Sequence, residues 1–74
     1  MDYIDPLDRS PLHLADPSER QSLDQALREG RAKRADGGVI PEFQAAYLNE
    51  QGTHAYLVID GVPNFLVDER IQLT

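Results

Sequence analysis

HAYLVIDGVPNFLV, residues 54–67, is the stretch that decides the fold. Two short runs rich in β-branched and aromatic residues meet at Asp60-Gly61, and Asp-Gly between apolar runs is a strong signal for a two-residue hairpin turn. Counting outward from this turn places Tyr56 opposite Phe65. The sequence therefore predicts a β-hairpin over this stretch.

Both faces of the predicted hairpin are apolar, because side chains alternate along a strand. One face carries Tyr56, Val58, Pro63 and Phe65, and the other carries Ala55, Leu57, Ile59, Val62 and Leu66. A two-stranded hairpin is marginal in water, so we expect the rest of the chain to cover both faces. Pro63 has no N–H to donate, which indicates an edge strand.

Length, charge, cysteine content and the length of the apolar runs limit the class of protein to which the chain can belong. A chain of 74 residues is one domain near the lower limit for folding on a single core. The net charge of −6 argues against a nucleic-acid surface, and the absence of cysteine excludes disulfides and a thiolate zinc site. The apolar runs are far shorter than a membrane span, and the N-terminus is acidic where a signal peptide would be basic. We therefore expect a cytoplasmic protein.

The sequence before the hairpin contains a helix-start pattern at residues 16–19. Asp16 can cap, Pro17 suits the first helical position, and Glu19 completes a capping-box pattern. We expect a helix over about residues 17–29, ended by Gly30. Its apolar stripe is narrow, formed by Leu23, Ala26 and Leu27.

The remaining elements are short. Residues 12–14 fit a strand, and the residues before Pro6 fit a single helical turn. Residues 43–48 fit a helical turn or a strand, and the short link to the hairpin favours a strand antiparallel to residues 54–59. The tail either frays or docks through Ile71 and Leu73. The fold class expected is α+β: an antiparallel sheet of three to four short strands with one inserted helix.

Positive charge is concentrated in one segment, at Arg28, Arg31, Lys33 and Arg34. This segment is polar, shows no hydrophobic periodicity and ends in Gly37-Gly38. These features predict a mobile loop or a frayed helix end. One interpretation is a solvated loop that balances the acidic helix start, and the other is a contact for an acidic partner or a phosphate.

Two stretches together resemble one family. Residues 4–12 (IDPLDRSPL) and residues 55–66 (AYLVIDGVPNFL) are similar to the opening and closing motifs of the short bacterial YcaR-like proteins, relatives of the zinc-binding activator subunit of tRNA and protein methyltransferases. The resemblance implies one methyltransferase-activator-like domain over residues 1–74, with a helical insertion at about 15–42. It also implies a small α+β fold with an antiparallel sheet.

The family holds zinc with two pairs of cysteines. Here Asp5 and Asp8 stand at the first pair, and the second pair falls near Asn49 and Gly52. None of these is a thiolate, so we expect no metal and no other cofactor.

The sequence also contains a set of hard ligands, Asp5, Asp8, His13 and His54. It is open to a metal-binding interpretation. Ordinary surface and capping roles are the favoured alternative for all four.

Catalytic signatures are missing, because the chain has two isolated histidines, no cysteine and no glycine-rich phosphate loop. We therefore expect a non-catalytic protein-interaction module, an adaptor or activator of a larger enzyme such as a methyltransferase. The expected partner-binding residues are Tyr47, Phe43 and Phe65, since aromatic residues are enriched at interfaces. The alternative is a phosphate- or RNA-contacting module that uses the basic segment Arg28–Arg34.

Overall fold

A computed structural model of the chain describes residues 3–73. The elements are β1 (Tyr3–Ile4), β2 (Pro11–Leu14), α1 (Pro17–Arg28), β3 (Ala32–Arg34), β4 (Ala45–Asn49), β5 (His54–Ile59), β6 (Val62–Pro63) and β7 (Ile71–Leu73), with a 3-10 turn at Val67–Glu69. The strands form one antiparallel sheet in the order β1-β2-β4-β5-β7-β3, and β6 pairs with the end of β5.

The prediction of three to four strands is wrong, because the sheet has seven. The chain is an α+β domain that is mostly sheet. Four of the strands, β1, β3, β6 and β7, contain only two or three residues. A run that short shows no alternation that distinguishes a strand from a loop.

The turn of the hairpin has the predicted register. Val58 pairs with Pro63 and Ile59 pairs with Val62. Asp60 and Gly61 take φ values of 52° and 77°, as a type I′ turn requires of both central residues.

The hairpin is shorter than predicted. Its second strand ends at Pro63, and Ala55 pairs with Ile71 instead of Leu66. The reason is competition for one edge: β7 occupies the side of β5 on which the hairpin would have continued. The tail therefore docks as a strand.

The helix is confirmed at Pro17–Arg28, within one residue of the predicted end. Both hydrogen bonds of the capping box are present, from the Glu19 N–H to Asp16 Oδ1 at 2.8 Å and from the Asp16 N–H to Glu19 Oε1 at 3.1 Å. Gly30 follows with a φ of 75°, which glycine adopts at little steric cost.

The helix covers one face of the sheet and forms the core with it. The buried residues of this core are Leu23, Ala26, Ala32, Ala46, Leu48, Ala55, Leu57 and Ile71. Within residues 3–73, no helix combines the length and the apolar character needed to cross a membrane.

The remaining elements divide between confirmed and corrected predictions. Residues 12–14 form part of β2, and residues 45–49 form a strand antiparallel to β5. The single helical turn before Pro6 is wrong for the described residues 3–4, which pair with β2 as β1.

Candidate functional site

The face of the sheet opposite the helix is aromatic. Tyr56 on β5 pairs with Tyr47 on β4, which pairs with Leu14 on β2. Residues paired directly across antiparallel strands point to the same face, so these three side chains lie on one side. Tyr56 is completely buried, and Leu14 is 55% exposed. This face is therefore buried at Tyr56 and becomes exposed toward Leu14.

Three half-buried rings cover the buried part of this face. The Tyr3 ring lies 5.0 Å from Tyr47 and 4.8 Å from Phe65, measured between centroids, and Tyr47 lies 6.0 Å from Phe65. Phe65 also contacts the buried Tyr56 ring at 5.8 Å. These spacings are those of favourable aromatic pairs. We call the surface formed by Tyr3, Tyr47, Phe65 and Leu14 the aromatic face.

A buried polar cluster lies beside the aromatic face. The Asp5 carboxylate is completely buried and accepts hydrogen bonds from the Tyr56 hydroxyl at 2.7 Å and from the Leu7 N–H at 2.8 Å. Its second oxygen is hydrogen-bonded to His54 Nε2. One carboxylate thus ties the N-terminal segment to β5, 49 positions along the chain. We call Asp5, His54 and Tyr56 the Asp5 cluster.

Electrostatics favour an ionised Asp5 in this cluster. Burial alone would raise the pKa of Asp5, but the hydrogen bonds from Tyr56, His54 and the Leu7 amide outweigh it and hold the pKa below its usual value. Burial and the neighbouring Asp5 carboxylate raise the pKa of Tyr56, so its hydroxyl remains a donor.

The polar network continues from His54 into the turn between β4 and β5. Asn49 Oδ1 accepts the N–H groups of Thr53 and His54 at 2.8 and 3.2 Å. Asn49 Nδ2 donates to Thr53 Oγ1 at 2.8 Å, and that oxygen lies 3.3 Å from His54 Nδ1. Every buried side-chain polar atom among the described residues has a partner. The network is satisfied internally, as a structural network should be.

This network has the order hydroxyl, imidazole, carboxylate that hydrolase triads use. Thr53 would be the nucleophile, His54 the base and Asp5 the orienting group. The Thr53 oxygen, however, is held by the Asn49 amide, and its contact with His54 is long for a hydroxyl donor. The geometry favours a role in fixing the turn.

The structure brings together three of the four hard ligands proposed from the sequence. Ligand atoms of Asp5, Asp8 and His54 lie within 4.8 Å of one another. His13 lies elsewhere and pairs with Glu19 on the helix at 2.7 Å. Asp5 already accepts three internal hydrogen bonds, and a closed zinc site needs four ligands, usually Cys and His. The donor set therefore does not fit a structural zinc of the kind that the YcaR-like proteins bind.

The three predicted partner-binding residues are divided between the two faces. Tyr47 and Phe65 belong to the aromatic face, as described above. Phe43 packs against the helix-side core, with the Arg20 guanidinium 4.4 Å above its ring. Sequence reasoning missed Tyr3, and it grouped Asp5 with His54 as possible metal ligands without their hydrogen bonding to Tyr56. The signal available for Tyr3 was its aromatic character beside β-branched Ile4, which favours a strand over a helical turn.

The basic segment is not the mobile loop or frayed helix end that was predicted, because residues 32–34 form β3 beside β7. Arg31 is bonded to Glu29 at 2.7 Å, and Arg34 is bonded through two nitrogens to Asp36, whose pKa these bonds lower to about 2. Lys33 and Arg34 are neighbours in a strand and point to opposite faces. The positive charges therefore do not converge on one point.

Comparisons with known proteins bear on the fold alone. No family model matches the sequence, and no curated protein matches it. The chain is similar in structure to a protein from Xylella fastidiosa solved by NMR in solution, with a TM-score of 0.73 and 25% sequence identity. The match covers 95% of this chain and 73% of that one.

Proposed function

We propose that this chain is a non-catalytic protein-interaction module that docks on a larger protein through the aromatic face. The single observation that carries the proposal is the cluster of three half-buried rings beside exposed Leu14. Tyrosine and phenylalanine are enriched at protein interfaces, where their rings bury much apolar area at a low cost in conformational entropy. The partner would be a cytoplasmic enzyme, and the sequence resemblance favours a methyltransferase.

The rigid support beneath the aromatic face favours a role in binding. Its rings stand on a sheet, and Tyr56 beneath them is fixed by the Asp5 cluster. A surface held by packing and hydrogen bonds loses little freedom on association, which favours affinity. The net charge of −6 would favour a partner surface with basic residues around an apolar centre.

The burial and the hydrogen bonding of the Asp5 cluster support a non-catalytic role. Asp5 and His54 are buried, and each is engaged by neighbouring side chains. A general base must come within hydrogen-bond reach of a substrate proton. Reaching a substrate would require these residues to give up the bonds that fix the N-terminal segment.

The phosphate or RNA alternative has weaker support. Arg31 and Arg34 are bonded to carboxylates, and Lys33 and Arg34 point to opposite faces. A phosphate-binding surface gains its affinity from several cations that converge.

The experiment uses two matched variants. Leu14→Glu places a charge on the aromatic face, and Val62→Glu makes the same kind of change at a residue that is 64% exposed on the hairpin. Val62 lies on the opposite face, since it pairs with Ile59. Proteins captured from the native lysate are purified, and their binding to the parent and to both variants is measured directly.

We expect Leu14→Glu to abolish binding while Val62→Glu leaves it unchanged. The captured protein should also lose activity when the parent chain is removed, if the chain is an activator. Equal binding by both variants, with binding lost on reversing the charges of Arg28 and Lys33, would overturn the aromatic face in favour of the basic segment.

A further inference from the structure

A cavity lies between α1 and one end of the sheet, on the side opposite the aromatic face. It has a volume of about 300 Å³. Its floor is apolar and is formed by Leu23 and Ala26 on the helix, Leu48 on β4 and Leu73 on β7. The first three belong to the buried core, and Leu73 packs against that core. The cavity is therefore an opening into the helix side of the core.

Small residues explain why helix and sheet leave this space between them. Ser18, Ser22 and Ala26 line the cavity and are four positions apart, so they lie along one side of the helix. Gly52, in the turn between β4 and β5, lines the cavity without a side chain. Its φ of 67° favours glycine over other residues. None of these four residues is long enough to fill the space.

Two serine hydroxyls stand above the apolar floor. Ser18 and Ser22 are exposed, and within residues 3–73 neither hydroxyl has a hydrogen-bond partner. A serine hydroxyl can donate one hydrogen bond and can also accept. A molecule that rests on the leucines can therefore form a hydrogen bond at the mouth of the cavity.

The two charged residues that line the cavity are already engaged. Glu19 accepts the Asp16 N–H at 3.1 Å and pairs with His13 at 2.7 Å. Arg31 is bonded to Glu29 at 2.7 Å. One of the two lining residues is acidic and the other is basic, so neither sign of charge on a ligand is favoured. A charged ligand would also lose hydrating water on entry, which costs free energy. The lining therefore suits a neutral ligand.

The size of the cavity indicates the size of the ligand. An engineered apolar cavity of about 150 Å³ binds benzene. The space beside α1, about 300 Å³, is twice as large and accommodates two fused rings. A rigid ring system loses no internal freedom on binding, which favours it over a flexible chain of the same size.

From these observations we propose that the cavity binds a neutral bicyclic aromatic molecule with one hydrogen-bonding group, of the indole class. The rings contact Leu23, Leu48 and Leu73, and the polar group bonds to the hydroxyl of Ser18 or Ser22. This site lies on the helix side of the sheet and does not depend on the aromatic face.

The test uses NMR on the whole chain, with labelled leucine methyl groups and indole as the probe. We expect nuclear Overhauser effects from the indole ring protons to the methyl groups of Leu23, Leu48 and Leu73, and none to Leu14 on the aromatic face. Tryptamine and indole-3-acetate carry the same rings with a positive and a negative charge. Neither should bind more tightly than indole, because the charges at the cavity are already paired.

Two matched variants test the cavity itself. Ser22→Leu fills the space and should abolish the Overhauser effects. Gln21→Leu makes a similar change at the neighbouring exposed position, which does not line the cavity, and should leave binding unchanged. Both variants should unfold at urea concentrations close to that of the parent, since both positions are exposed. Leu14→Glu should bind indole normally, which separates this site from the proposed function.

A double variant tests the hydrogen bond. Ser18→Ala combined with Ser22→Ala should bind indole about fivefold more weakly, the effect of losing one neutral hydrogen bond. It should bind 1-methylindole, which has no N–H, as well as the parent does.

Four results would overturn the site. Overhauser effects to Leu14 in place of the core leucines would put indole on the aromatic face. Equal indole binding by Ser22→Leu and Gln21→Leu would show that the cavity is not occupied. Equal indole binding by the parent and the double alanine variant would remove the serine contact, and tighter binding of tryptamine or indole-3-acetate would contradict a neutral ligand.

Discussion

Replacing Asp5 with alanine tests the Asp5 cluster most directly. The carboxylate is completely buried and accepts bonds from the Leu7 N–H, the Tyr56 hydroxyl and His54. Asp5→Ala leaves these donors without an acceptor inside the protein. Leaving a buried donor without its acceptor costs about 1–3 kcal/mol for each group. The loss of the acceptor for the two buried donors, Tyr56 and His54, should therefore cost roughly 2–6 kcal/mol. A domain of 74 residues has a free energy of unfolding of roughly 4–11 kcal/mol, so the variant should lose a large share of its stability and unfold at a much lower urea concentration than the parent.

Two controls isolate the effect. Asp8→Ala removes an exposed carboxylate that, among residues 3–73, bonds only to Ser10, and it should cost at most about 1 kcal/mol. Tyr56→Phe removes one donor to Asp5 and keeps the ring, so it should cost about 1–3 kcal/mol. The assay is a urea titration followed by circular dichroism, with the slope of the transition compared across the variants.

The pH dependence gives a second readout. The pKa of Asp5 is lowered in the folded protein, so its contribution to stability is present above the unfolded pKa, near 3.8, and is lost as the pH falls through the folded pKa. The parent should lose stability below about pH 4, and Asp5→Asn should lose less over the same range. Equal costs for Asp5→Ala and Asp8→Ala, or identical acid profiles for the parent and Asp5→Asn, would refute this account of the cluster.

Three further predictions concern other parts of the chain. A chelator should leave the thermal transition unmoved, since the available ligands do not form a closed zinc site; stoichiometric zinc in the purified protein with loss of structure on chelation would contradict this. Gly61→Val should cost about 1–2 kcal/mol more than Gly61→Asn in a urea titration, because a φ of 77° strains a β-branched residue while space around the position is open; equal costs would rule out the turn conformation. Asp16→Ala should cost about 1 kcal/mol by the same titration, through loss of the bond to the Glu19 N–H, and Glu19→Ala should show whether the reciprocal bond adds to it.

The parts of the fold that could be predicted are those with local signals. The Asp60-Gly61 turn is determined by two residues that tolerate positive φ, and the helix start is determined by the spacing of Asp16 and Glu19. Both signals lie within a few residues, where side chains act directly on the neighbouring backbone.

The parts that could not be predicted depend on distant partners. Strand β3 lies in a polar segment with the composition of a loop, and it is a strand because β7 offers it a row of backbone groups. The same competition shortens the hairpin at Pro63. Short strands are specified by the sheet that receives them more than by their own residues.

The candidate site could be predicted only in part, because some of its contacts also join distant segments. Tyr47 and Phe65 could be named from residue type, because aromatic side chains dominate interfaces. The Asp5–His54 contact spans 49 positions and depends on the registers of β1 with β2, β2 with β4 and β4 with β5. No single segment contains that information.

The position of β7 between β5 and β3 affects how the chain can fold as it is made. Strand β3 ends at Arg34, and the strand that it pairs with begins at Ile71. At synthesis rates of about 5–20 residues per second, the ribosome adds the intervening chain in roughly 2–7 seconds. During that time α1 and β3 have been synthesised, but the central strands of the sheet are not all complete. The apolar side of the helix is therefore exposed and can be bound by chaperones. Stalled nascent chains should therefore remain protease-sensitive in α1 until β7 has left the ribosome, and the whole sheet should then close in one step.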